Sequence, residues 1–128
     1  MWFIDENLLG VAKALAILRD DVTFPGRPGC PIARHCRDED WLQEVGDRGW
    51  NVIMRDKNIR KRKPEMDQLI RHGVKAFCLT TSGNLNKWDI ATVLVPQWAE
   101  MTRIGEGSGP FLYAVTRGGL REIFLASS

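Results

Sequence analysis

The chain has 128 residues, 44% of them hydrophobic and 27% charged, with a formal net charge of +2. That length fits a single domain, 1–128, of ordinary soluble composition, and so small a charge does not by itself specify a nucleic-acid binder. No apolar stretch reaches the ~18 residues of a membrane span, and no signal-like segment precedes the first strand-like run, so the expected compartment is the cytoplasm, with no membrane partner.

Trp2-Phe3-Ile4 is a short apolar run of the buried-strand type, and it ends on Asp5-Glu6. Leu8, Val11, Leu15 and Leu18 lie at helical spacing and predict an amphipathic helix over 7–19. Val22-Thr23-Phe24 reads as a second strand. Three prolines and two glycines then fall within the seven residues Pro25 to Pro31, which excludes regular structure. A loop of this kind is long enough to shape or cover a site. Asp38, ahead of Trp41, Leu42 and Val45, predicts a helix over 38–48 with Gly49 as its stop.

Asn51 to Arg55 is strand three, and it too ends on an acid, Asp56. Pro64 suits the first turn of a helix carrying Met66, Leu69 and Ile70 on one side, and His72-Gly73 ends it. Lys75 to Thr80 reads as strand four, with Phe77 and Leu79 facing one way and Ala76 and Cys78 the other. Residues 86–103 hold Trp88, Ala91, Val95, Trp98 and Thr102 near helical spacing, and Pro96 should kink or divide that helix. Gly105 to Gly109 reads as a flexible connector. Phe111–Thr116 and Leu120–Leu125 flank Gly118-Gly119 as a tight hairpin. Strand–helix alternation followed by a hairpin predicts an α/β fold with a mostly parallel central sheet and an antiparallel C-terminal edge. Of five tryptophans, Trp41, Trp88 and Trp98 fit helix faces and are expected in the core or a subunit interface.

Asp5 and Asp56 are the informative acids. Ligands of open parallel sheets bind outside the carboxyl ends of the strands, and both residues sit where a strand leaves the sheet. Asp38 opens a helix, where an anion is favoured and where its plain role is an N-cap. Crowded carboxylates repel and raise one another's pKa. A hard cation such as Mg²⁺ relieves that repulsion and can acidify a coordinated water for attack on a phosphodiester. Lys57, Arg60, Lys61, Arg62 and Lys63 fall within seven positions after the third acid. Such a run is either a solvated face or a hold on a nucleic-acid backbone. Cys30, His35 and Cys36 lack an evident fourth zinc ligand, so Cys30 and Cys36 read as two free thiols in a loop, and three cysteines without a secretory signal argue against a disulfide framework.

Three blocks of the chain resemble the compact, VapC-toxin-related type of PIN-like domain. They are Phe3-Ile4-Asp5-Glu6-Asn7-Leu8, Asp38-Glu39-Asp40-Trp41-Leu42 and Val52-Ile53-Met54-Arg55-Asp56-Lys57-Asn58-Ile59, in the family's order, within residues 2–80. The resemblance implies a three-layer α/β/α PIN-like domain and a ribonuclease that uses Mg²⁺ or Mn²⁺. It would make Asp5, Asp38 and Asp56 the metal ligands, with Glu6 as an accessory ligand or water positioner. Lys57 would reach a phosphate, and Arg60, Lys61, Arg62 and Lys63 the RNA backbone. A cognate antitoxin and a homodimer are the partners it implies. Met54 stands where the family usually has Thr, Asn58-Ile59 stand in place of Asp-Phe, and Leu8–Leu18 hold no further acid. The metal count is therefore open.

Two other readings fit some of these residues. A phosphoacceptor receiver domain would use Asp5-Glu6, Asp56 as acceptor, and Thr80 or Thr81. It needs a Lys after strand five that Phe111 to Arg117 does not contain, and a last helix where this chain predicts a hairpin. A catalytically silent PIN-like module that binds RNA or a partner would keep the fold without the chemistry.

Overall fold

The computed structural model describes residues 1–55, 63–81, 83 and 85–125. Strand β1 (Trp2–Ile4) leads through a 3₁₀ turn (Glu6–Leu8) into α1 (Leu9–Leu18), followed by β2 (Val22–Thr23). After the Pro/Gly loop come α2 (Asp38–Arg48), β3 (Asn51–Arg55), α3 (Lys63–Arg71) and β4 (Lys75–Leu79). The last third holds α4 (Lys87–Leu94), a 3₁₀ turn (Val95–Gln97), α5 (Trp98–Gly105), β5 (Phe111–Thr116) and β6 (Gly119–Leu125).

The six strands form one sheet in the order β2-β1-β3-β4-β5-β6. All pairs are parallel except β5–β6, the C-terminal hairpin edge. Alternation along each strand divides the apolar residues between two cores. Trp2, Ile4, Ile53, Phe77 and Leu79 pack with Val11 and Leu15 of α1, Ile90, Val93 and Leu94 of α4, and Trp98 and Met101 of α5. Phe3, Val52, Met54, Ala76 and Cys78 pack with Trp41, Leu42 and Val45 of α2 and Leu69 of α3. Helices therefore cover both faces, which gives the three-layer α/β/α arrangement, and β4 divides as expected.

The boundaries follow local chemistry. Gly49 takes φ +66° as the C-cap of α2, a left-handed conformation that a side chain disfavours. Pro96 sits in the 3₁₀ turn that separates α4 from α5, so the expected long helix is divided there. Gly105 is no connector residue. It closes α5 and is buried against the Asn51 side chain, where a Cβ would meet the amide at 2.6 Å.

Two apolar residues of the helices lie outside the core. Trp41 and Trp98 are buried, but Trp88 is 75% exposed and Ile70 49% exposed. Ile90, Val93 and Leu94 bury the other side of α4, and Leu69, with Met66 partly buried beside it, carries the inner face of α3 into the second core. Among the described residues no helix is long and apolar enough to cross a membrane.

Candidate active site

β1 and β3 are parallel neighbours with Ile4 opposite Ile53, so both deliver their following residue to the same edge of the sheet. The Asp5 N–H donates to the Ile53 carbonyl at 2.9 Å, which pins Asp5 at that rim. Its half-buried carboxylate accepts from Asn7 Nδ2 at 3.2 Å. Asp38 comes from a different element. It is the first residue of α2, and the side chain of the N-cap residue Arg37 makes no capping bond. Instead Trp41 Nε1 donates to Asp38 Oδ1 at 3.1 Å. The Trp41 ring lies 5.3 Å from that of Phe3, so packing of α2 on β1 fixes this donor.

Asp5, Glu6 and Asp38 line one pocket of about 120 Å³, with Trp41, Ile32 and Cys36 in its wall. Burial pushes the Asp5 carboxyl from its ordinary 3.8 to about 6, and the charges of Asp38 and Glu6 push the same way against the pull of the Glu6 and Asn7 N–H groups. Glu6 is turned to the loop. The His35 N–H donates to its Oε1 at 2.7 Å, His35 Nδ1 lies 3.3 Å from Oε2, and Arg34 Nε lies 3.9 Å from Oε1. His35 takes φ +64°, unusual outside glycine, so this carboxylate straps a strained loop that leads straight into Asp38. Burial raises the Cys36 thiol, helped by Asp40 and Asp38, so it stays protonated. Cys30 and Cys36 are free thiols.

The pocket therefore brings together Asp5, Glu6 and Asp38. Asp56, Lys57, Arg60, Lys61 and Arg62 lie outside the described residues, and Lys63 opens α3. Among the described residues no group of three or more His, Cys, Asp or Glu side chains is arranged to hold a metal ion. Trp41 as the residue that orients Asp38 was missed from sequence, although the i, i+3 spacing of the two on one helix carries the signal.

The PIN-like domain family model matches residues 1–81, the segment that contains Asp5, Asp38 and Asp56. The chain belongs to the PIN-like domain family. This PIN-like domain is also similar to a Mycobacterium tuberculosis protein named "Putative ribonuclease VapC45", at 26% identity over 117 residues, 88% of this chain and 83% of that protein. No solved structure matches it significantly. In the PIN-like domain the matched segment supplies β1 to β4 and the whole acid pocket, while α4, α5 and the hairpin follow it.

Proposed function

We propose that this PIN-like domain, with residues 1–128 acting as one unit, is a metal-dependent endoribonuclease of the VapC-like toxin type. One observation carries the reading. Two aspartates from separate elements line one small pocket, and Asp5 is so poorly solvated that its charge needs a counter-ion. The donors there are carboxylate oxygens, a hard set that suits Mg²⁺ or Mn²⁺. Asp5, Asp38 and Asp56 hold the ion in this proposal, and Asp56 is the donor that completes the described pair. Such an ion supplies positive charge to phosphate oxygens and acidifies water.

The chain's own residues do the rest. Asp5 is fixed by its backbone bond to Ile53, and Asp38 is oriented by the Trp41 indole. Glu6 is the accessory acid, and its bonds to His35 hold the loop that sets the position of Asp38. Ile32 and Trp41 keep one wall of the pocket apolar, which strengthens every charge interaction inside it. Lys57, Arg60, Lys61, Arg62 and Lys63 neutralise the RNA backbone.

A protein partner of the antitoxin kind, or a second copy of the chain, belongs to the same proposal. An apolar groove of about 660 Å³ between α1 and α4, with Leu18 and Val95 exposed, supports a covered surface. Similarity to a protein whose name carries the word ribonuclease favours this reading over a receiver domain, and so does the antiparallel hairpin that ends the sheet.

Cleavage of a labelled RNA in Mg²⁺ or Mn²⁺ by purified, folded protein tests the proposal. Asp5→Asn and Asp56→Asn should each lower the rate at least 100-fold, on the order expected for loss of a charge-stabilising group. Hydrolysis by both variants as fast as by the parent would overturn it.

A further inference from the structure

Beside the acid pocket lies a larger trough of about 520 Å³, lined by Asn7, Leu8, Arg55, Asn86, Lys87 and Trp88 among others. Asn7 lines both cavities, so the two lie side by side. Among the described residues the trough wall carries two cations and no carboxylate, the reverse of the acid pocket. Arg55 ends β3, and its Nη2 donates to the Gly83 carbonyl at 2.8 Å, which holds the guanidinium at the trough. Lys87 reaches in from α4, with its stem laid across α1 at Gly10. A Cβ on Gly10 would come within 2.4 Å of Lys87 Cε and 2.8 Å of Cδ. Gly is a poorer helix former than Ala, and here it leaves the channel that the lysine stem occupies.

Trp88 stands between this trough and the apolar groove, and lines both. Trp88 is 75% exposed, while Ile90, Val93 and Leu94 carry the packing of the same helix. An exposed indole next to cations offers a stacking face to an unpaired base, and the cations offer partners to phosphate.

We propose that this trough binds single-stranded RNA as it leaves the acid pocket, with a base on the Trp88 ring and backbone phosphates against Lys87 and Arg55. The inference rests on the ribonuclease reading of that pocket and names where its substrate lies. Lys87 and Trp88 stand on α4, apart in sequence from the basic run Lys57 to Lys63.

Anisotropy of a short labelled single-stranded RNA titrated with the full chain in EDTA reads binding without metal-dependent hydrolysis. Trp88→Ala should weaken binding about tenfold, and Trp88→Phe should retain most of it, because stacking needs a flat ring and not the indole N–H. Lys87→Ala should weaken binding and reduce the slope of log K against log salt by about 0.7, the signature of one lost contact with a single strand. Gly10→Ala should act in the same direction as Lys87→Ala by displacing its stem. Trp88 is exposed, so circular dichroism should show every Trp88 variant folded.

If Trp88→Ala and Lys87→Ala bind RNA as tightly as the parent, the trough proposal is overturned while the ribonuclease reading stands. If Trp88→Ala changes only the mass of the protein in solution, the exposed Trp88 is a protein contact and the proposal is likewise overturned. If the parent neither binds nor cleaves RNA, both readings fall together.

Discussion

At Asp5 the fold and the chemistry pull in opposite directions. Ile4 is fully buried, and the next residue is tied by its N–H to the Ile53 carbonyl, so its carboxylate is held where water is scarce. The folded protein then keeps the Asp5 proton up to a pH of about 6, whereas the unfolded chain releases it near 3.8. The stability of the protonated form is fully present below that lower value and is lost as pH rises through about 6. The full loss is about 3 kcal/mol, at roughly 1.4 kcal/mol per pH unit. Asp5→Asn should therefore be more stable than the parent in urea melts at pH 7.5 with EDTA, by up to about 3 kcal/mol. The two should be equal near pH 3.5. An equal or lower stability of Asp5→Asn at pH 7.5 would refute the cost assigned to this carboxylate. The sequence pointed to Asp5 because an acid closes a run of buried-strand type. It did not reveal the hold of Glu6 on His35, which depends on a loop whose path has no sequence period, and the only trace of the Trp41 bond to Asp38 was their i, i+3 spacing on α2.

At the scale of elements, legibility followed how many signals agreed. The bounds of α2 and β3 were readable because turn chemistry and apolar spacing marked the same ends, with Gly49 between them. α4 shows the opposite case. Trp88, Ala91 and Val95 form one apolar face, and Ile90, Val93 and Leu94 form another, so spacing alone could not say which side the sheet would cover. Covering the second face left Trp88 at the surface, where it lines the trough. The contact between α2 and α3 was equally invisible to periodicity. A Cβ on Gly46 would lie 2.0 Å from the His72 carbonyl oxygen, a backbone atom with no freedom to step aside. Gly46→Ala should cost about 1–3 kcal/mol by forcing the two helices apart. The urea midpoint reads this directly, and an unchanged midpoint would show that the helices can separate without loss.

Over the whole molecule, the sheet order turns distant sequence positions into neighbours. β1 lies between β2 and β3, and parallel pairing sends β1 and β3 to one edge. α2 packs across the same face through Trp41 and brings Asp38 to that edge. Strand–helix alternation made the parallel sheet and its edge site readable. The side of the sheet on which each helix lies came only with the full set of contacts, because both faces of every central strand are apolar. No single segment contains the pocket, so its properties belong to the folded chain. The central claim is that Asp5 and Asp38 act together as one cation site. Calorimetric titration of the full chain with Mn²⁺ at pH 7.5 tests it most directly. The parent should give binding heat, lost in both Asp5→Asn and Asp38→Asn, each folded by circular dichroism. Mn²⁺ binding of unchanged affinity in both variants would contradict it.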